Sequence, residues 1–419
     1  MASDEPSARR RRVVVTGMGA ITPLGLDAPT TWEAMLKGRS GVDHITSLPV
    51  DELPVRIAGE VSDFVPDPVI PRRVSRRLDL FAQYALVAAA EAVDHADVRI
   101  DEELAPRTGV LMGSGYGSVR SIEQSVRTFQ ARGSRAISPF CPLTGAIDSA
   151  AVEISLHFGA GGPSRSISSA CATGADAIGE ASEWIRHGRS DVVIAGGAEN
   201  CLTAVDIAGS ANARALSRRM SDPTQASRPF DEDRDGFVMS AGAGALVLEE
   251  REHALGRGAQ ILAEVVGYGS SSDAHHLTAP HPEGAGAFRA VLQALDDAGL
   301  GPEQIDCVNA HGTGTQLNDV TEVSLVHRLF GDRAGRVPMS SVKSMTGHMI
   351  GAAGAVEAIA AVQTLLTGTV PPTINCDKPI DPTLNFVAHQ PQEHDVRVVM
   401  SNSFGFGGHN SVLLLRKGE

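Results

Sequence analysis

Cys171 lies in Ile167-Ser168-Ser169-Ala170-Cys171-Ala172-Thr173-Gly174-Ala175, which reads as a strand-like run, a small-residue turn and the start of an alanine-rich helix. A thiol at a helix N-terminus meets unpaired N–H groups and the positive end of the macrodipole. That setting favours the thiolate and predicts a pKa lowered by about a unit or more. The small neighbours Ser169, Ala170, Ala172 and Gly174 allow a tight turn and close approach of a substrate. A buried structural cysteine is the competing reading of the same segment. Two later segments share this grammar: Val308-Asn309-Ala310-His311-Gly312-Thr313-Gly314-Thr315, and Ser341-Val342-Lys343-Ser344-Met345-Thr346-Gly347-His348, with a small-residue helix following from Met349. A single histidine in an apolar segment is commonly a satisfied core residue. Two of them at strand ends beside glycine turns, with a cysteine and a lysine, predict a reaction centre.

The elements that must position these groups alternate between strands and helices. Residues 13–15 predict a first strand that Thr16-Gly17-Met18-Gly19 cuts short, so Arg9 to Arg12 do not introduce the long apolar region of an export signal. A disordered-looking leader precedes that strand. Residues 245–250, 262–270 and 305–310 predict further strands, and Ala285–Ala298 an amphipathic helix. This alternation predicts a layered α/β architecture with helices covering mixed sheets. The 419 residues are 42% hydrophobic but only 4% aromatic, and 44 are glycine, so the core must be packed from small aliphatic side chains in close layers. Five scattered cysteines (141, 171, 201, 307 and 376) form no C-x-x-C pair, which predicts reduced thiols in a cytoplasmic setting. A net charge of −14 disfavours nucleic acid and anionic membrane as partners. No stretch reaches about 18 uninterrupted apolar residues, the nearest, 349–367, being broken by Glu357. Gly17-Met18-Gly19 lacks the third glycine of a dinucleotide fingerprint, since position 22 is Thr. His275, His276 and His281 raise the question of a metal site. A polar loop explains them with fewer assumptions, and no metal is expected.

The chain resembles the elongating, type II beta-ketoacyl-acyl-carrier-protein synthases. The resemblance runs from Arg12-Val13-Val14-Val15-Thr16-Gly17 to Asn402-Ser403-Phe404-Gly405-Phe406-Gly407-Gly408 and includes Arg228-Pro229-Phe230-Asp231 and Arg234-Asp235-Gly236-Phe237, with the cysteine and histidine blocks in family order. It implies a thiolase-like fold of two pseudo-duplicated halves in a layered α-β-α-β-α core. Residues 1–260 would carry the cysteine and 261–419 the histidines. The implied reaction is decarboxylative Claisen condensation of a Cys171-bound acyl group with malonyl-acyl carrier protein, in fatty-acid or type II polyketide biosynthesis. An alternative is the catalytic subunit of a pair with a chain-length factor. A thiolase would need a second cysteine in the C-terminal glycine loop, and Gly405-Phe406-Gly407-Gly408-His409 has none; a non-catalytic subunit would lack Cys171.

By the same resemblance, His311 and His348 stabilise an enolate, and Lys343, paired with Glu357, keeps them oriented; an ordinary structural ion pair is the other reading of that lysine. The Phe406 amide joins that of Cys171 as an oxyanion donor, with Phe404 and Phe406 at the gate. Thr313 and Thr315 grip a phosphopantetheine arm or serve only their own turn. Tyr116 and Cys141 fall at acyl-pocket or dimer-contact positions. No cofactor is implied, because substrates arrive on the carrier's arm. Carrier proteins of such pathways are acidic, so docking on an acidic chain needs a local basic patch. Arg72, Arg73, Arg76 and Arg77 supply one, and Arg214 with Arg218 and Arg219 a second. A homodimer or a heterodimer with a ketosynthase-like subunit is implied.

Overall fold

The computed structural model describes residues 10–418; the leader before Arg10 lies outside the described residues. Ten strands form one mixed sheet: β1 (Val13–Ile21), β2 (Thr108–Gly113), β3 (Ser164–Arg165), β4 (Val192–Glu199), β5 (Gly242–Glu250), β6 (Ala263–Ser272), β7 (Cys307–Asn309), β8 (Met339–Ser340), β9 (Val398–Gly405) and β10 (His409–Lys417). Their spatial order is β8-β7-β9-β10-β6-β1-β5-β4-β2-β3. Counted outward from the centre, the first half runs β1-β5-β4-β2-β3 and the second β6-β10-β9-β7-β8. In both, two antiparallel pairings are followed by two parallel ones. The halves meet through a short antiparallel contact, Val14 with Glu264 and Val15 with Ala263. The duplication is therefore plain in the topology although no repeat is visible in the residues.

Among the helices of the described residues are α1 (Leu80–Ala96), α2 (Val119–Arg132), α3 (Thr173–Arg186), α4 (Ala285–Ala298), α5 (Gln316–Phe330) and α6 (Ala353–Thr367). Helix α1 covers β1, β5 and β4 on one outer face, and α4 covers β6 and β10 on the other. Between them α3 and α6 touch each other and strands of both halves, which gives the α-β-α-β-α order. Their contact is nearly backbone on backbone. A Cβ on Gly174 would sit 2.6 Å from the Ala355 nitrogen, and one on Gly354 would sit 2.7 Å from the Ala175 nitrogen. Such close layers need small residues, which accounts for the scarcity of aromatics.

Strands covered on both faces lose alternation and read as continuous buried runs; β1 and β5 are buried throughout. The Gly17-Met18-Gly19 run, expected to end the first strand, lies inside β1. Cβ atoms there would stand 2.0 and 2.1 Å from the Ala92 and Ala88 carbonyl oxygens, so these glycines admit α1 rather than stop the strand. Helix α4 has the bounds expected, whereas β7 is shorter than residues 305–310. By length and composition alone Ile350–Thr367 is apolar enough to cross a bilayer, yet 83% of it is buried between the layers. Helix α2 is different: none of its residues is buried, and Ile122, Val126 and Phe129 line one exposed face.

Candidate active site

Cys171 occupies the single 3-10 turn Ala170–Ala172 that leads into α3. The segment before it is not a strand beyond Arg165: Ser166–Ser169 run irregularly, and Ala170 takes a left-handed φ of +50°. The chain is bent sharply here because the Ser169 amide bonds to the Thr173 hydroxyl (2.8 Å) and the Ser169 hydroxyl to Asp176. Gly405 packs on the turn; a Cβ there would lie 3.0 Å from the Cys171 nitrogen. This contact brings the Phe406 amide near enough to the thiol to pull its pKa down.

His311 lies two residues past the end of β7. Its amide and that of Gly312 donate to the two carboxylate oxygens of Glu322 on α5, each at 2.8 Å, and Asn402 Nδ2 donates to the same group at 3.0 Å. One turn earlier on α5, Asp319 accepts from the Phe230 and Gly314 amides at 2.8 and 3.3 Å. These two buried acids hold the His311–Thr315 loop, in which Gly312 and Gly314 have positive φ. Burial raises the Glu322 pKa to about 7 against the donors that lower it. Sequence reasoning missed both acids. Their signal was the three-residue spacing that puts Asp319 and Glu322 on one helical face directly after the glycine turn.

His348 is not at a strand end. It follows the short helix Lys343–Thr346 and Gly347 (φ +67°), and bridges to Met239. Its ring stands nearly perpendicular to that of His311, with centroids 5.5 Å apart, and packs edge-on to Phe237 at 5.2 Å. Cys171 Sγ and one ring nitrogen from each histidine lie within 4.8 Å of one another. His311 Nδ1 and both ring nitrogens of His348 are buried without a hydrogen-bond partner.

Lys343 and Glu357 form an ion pair in which both side chains are at most 2% exposed. Burial, followed by the Lys343 charge, drives both histidines well below the ordinary imidazole range; His348 also acts on His311. The rings are thus neutral. For Cys171 the expectation of a lowered pKa is overturned: burial pushes it up to about 11, outweighing the Phe406 amide and Lys343, which pull it down. Cys171 therefore rests as a thiol at neutral pH.

A cavity of about 240 Å³ leads to these groups, lined by Cys171, His311, His348, Thr313, Thr315, Phe404, Phe406 and Arg214 among others. The hydroxyls of Thr313 and Thr315 stand 3.0 Å apart on its wall. The two Arg-containing motifs shape it. Arg234 ties the carbonyl oxygens of Thr315 and Gln316 at 3.1 and 3.0 Å, and Phe230, Asp231 and Arg228 brace the loop from behind. Other expected site residues lie elsewhere. Tyr116 and Cys141 do not line this cavity. Tyr116 donates its amide to Glu199, whose buried carboxyl is raised to about 7 by desolvation and also accepts from Gly115 and Gly351. Cys141, Arg76 and Arg77 line a second cavity of about 940 Å³, together with Arg120 and Arg127. Arg72 and Arg73 are exposed beside it, but Arg77 is not a free cation, since it pairs with Glu153 at 2.6 Å. His276 Nδ1 accepts from the Thr278 and Ala279 amides of its own turn, so it serves the loop.

Fold and cavity together point to an acyl-transferring enzyme of the thiolase fold, with a cysteine and two histidines gathered at the end of its cavity. Family models agree: beta-ketoacyl synthase N-terminal domain matches residues 10–254, and beta-ketoacyl synthase C-terminal domain matches residues 262–377. The chain belongs to the beta-ketoacyl synthase family. It is 45% identical over 414 residues to 3-oxoacyl-[acyl-carrier-protein] synthase 2 of Staphylococcus aureus (strain COL), covering 98% of this chain and 100% of that protein. A ketosynthase solved with its type II polyketide acyl-carrier protein and a bound hexaketide superposes with a TM-score of 0.90 at 32% identity, covering 98% of this chain and 100% of that one. The ishigamide ketosynthase/chain length factor gives 0.90 at 36% identity, with the same coverage.

Proposed function

We propose that this protein condenses an acyl group held on Cys171 with malonyl-acyl carrier protein, giving beta-ketoacyl-acyl carrier protein for fatty-acid or type II polyketide assembly. The observation that carries the assignment of roles is the cluster itself: a thiol in reach of two neutral imidazoles with unpartnered nitrogens, with the Phe406 amide near the sulfur. In the first half-reaction Cys171 attacks the acyl thioester, its proton passing to a neighbouring imidazole, and the carrier thiol departs with a proton. The carbonyl oxygen carries the developing charge toward the Cys171 and Phe406 amides. In the second, malonyl thioester releases carbon dioxide, and the enolate oxygen receives hydrogen bonds from His311 and His348, which the neutral rings can donate without a competing partner. The enolate carbon attacks the acyl-enzyme carbonyl, a carbon–carbon bond forms, and Cys171 leaves as thiolate and recovers a proton.

Substrates are carried on the phosphopantetheine arm, so no cofactor is needed; Thr313 and Thr315 on the cavity wall suit the amides of such an arm. The exposed Arg72, Arg73 and Arg76, with Arg214 at the cavity, suit an acidic carrier. A second subunit, identical or of the chain-length-factor kind, covers the apolar face made by Ile122, Val126 and Phe129 with Phe140 and Leu143, all at least 46% exposed; monomers rarely leave such a patch open. The cysteines are all free, which suits a cytoplasmic setting.

Intact mass separates the half-reactions. Cys171→Ser should accumulate no acyl-enzyme from acyl-carrier substrate, whereas His311→Ala and His348→Ala should still acylate but lose carbon dioxide release from malonyl-carrier. A serine variant that elongates at near wild-type rate would remove Cys171 from its role.

A further inference from the structure

We infer that the Cys171–His311–His348 cluster is also a chelating site for one thiophilic divalent metal ion of the zinc class, and that its occupation blocks acylation. This goes beyond the proposed reaction, which uses no metal. The three donor atoms lie within 4.8 Å of one another. In a tetrahedral zinc site with one sulfur and two nitrogens, donors stand about 3.4–3.6 Å apart, so closure asks for side-chain rotations of roughly an ångström. Little opposes them, because His311 Nδ1, His348 Nδ1 and His348 Nε2 have no hydrogen bond to break. The rings need no deprotonation. Only the thiol proton is displaced, so one metal ion enters, one proton leaves, the three donors supply lone pairs and nothing is oxidised or reduced.

One thiolate with two imidazoles is a soft-to-borderline donor set that prefers zinc-class ions and rejects magnesium and calcium, which want oxygen. Lys343 faces the site, but its charge is matched by Glu357, whose Oε2 has no other partner. The cavity that admits substrate leads to the same atoms and leaves the fourth position to water. Metal and acyl group then compete for one sulfur.

Cadmium is the probe, because its bond to a thiolate gives an ultraviolet charge-transfer band that does not depend on turnover. Titration of the reduced protein should saturate at one Cd2+ per chain, with Zn2+ displacing it and Mg2+ having no effect. The band should vanish in Cys171→Ala and in wild-type protein first alkylated at Cys171, which keeps the fold, and should persist in Cys141→Ala. Loss of even an outer-shell partner costs metal sites about tenfold or more, so His311→Ala and His348→Ala should each weaken Cd2+ binding at least that much. A band that survives in Cys171→Ala or in the alkylated protein, or histidine variants that bind as tightly as wild type, would overturn the proposal. Acyl-enzyme formation, read by mass without metal, is a separate result, so failure here leaves the condensation reading standing.

Discussion

Replacing Lys343 by methionine tests whether that side chain tunes the histidines or only fills the core. The pair it forms with Glu357 is almost wholly buried, and removing one partner of such a pair leaves an uncompensated charge, at a cost of about 3–5 kcal/mol. Replacing both partners with apolar residues of similar volume is often neutral, so Lys343→Met with Glu357→Met should recover most of that loss. The imidazoles respond differently. Lys343 helps to hold both below their ordinary range, so its removal raises their pKa values in the single and the double variant alike. In the proposed reaction the enolate needs neutral rings, and a raised pKa means more imidazolium at any acidic pH, so the acid limb of carbon dioxide release should move to higher pH. Urea unfolding midpoints report the first effect and the pH profile of decarboxylation the second. A double variant with restored stability and an unshifted profile would make Lys343 purely structural, while a single variant that loses under about 1 kcal/mol would contradict the buried pairing.

Alkylation of Cys171 by iodoacetamide should rise about tenfold per pH unit through the range from about pH 7 to 9, because the thiol is held up to about 11; a plateau near neutrality would show a preformed thiolate. Glu249, fully buried against Arg257, His253 and Thr16, is lowered from 4.5 to about 2. Its folded pKa is depressed, so its stabilisation of about 3 kcal/mol is present above the unfolded value and lost as pH falls through the folded one. Glu249→Gln should therefore be destabilised at pH 7 by roughly that amount, with the gap to wild type closing toward pH 2 in equilibrium unfolding. Charge reversal at Arg72 and Arg76, which avoids the paired Arg77, should weaken reaction with carrier-bound acyl groups at low salt and spare a small acyl-thioester, since rim charges steer association; equal losses for both substrates would place docking elsewhere.

The grouping of Cys171, His311 and His348 at one cavity was legible from residue types beside glycine turns, because a cavity that side chains share at loops needs small neighbours around it. Helix α4 was legible from periodicity because only one of its faces meets the sheet. Close packing hid other features. Glycines inside β1 imitate a turn because the reason for them, the α1 backbone at about 2 Å from a would-be Cβ, belongs to another part of the chain. The halves repeat their strand order without repeating residues, since many small aliphatic side chains fill the same layers equally well. Only the tertiary structure decided the state of the thiol: a helix start argues for a thiolate, whereas full burial, a property of the whole molecule, outweighs it. The same folding brought Glu322 under the His311 amide and gave Arg77 to Glu153. Sequence determines which chemistry a residue has available; desolvation and long-range neighbours decide its charge and whom it can reach.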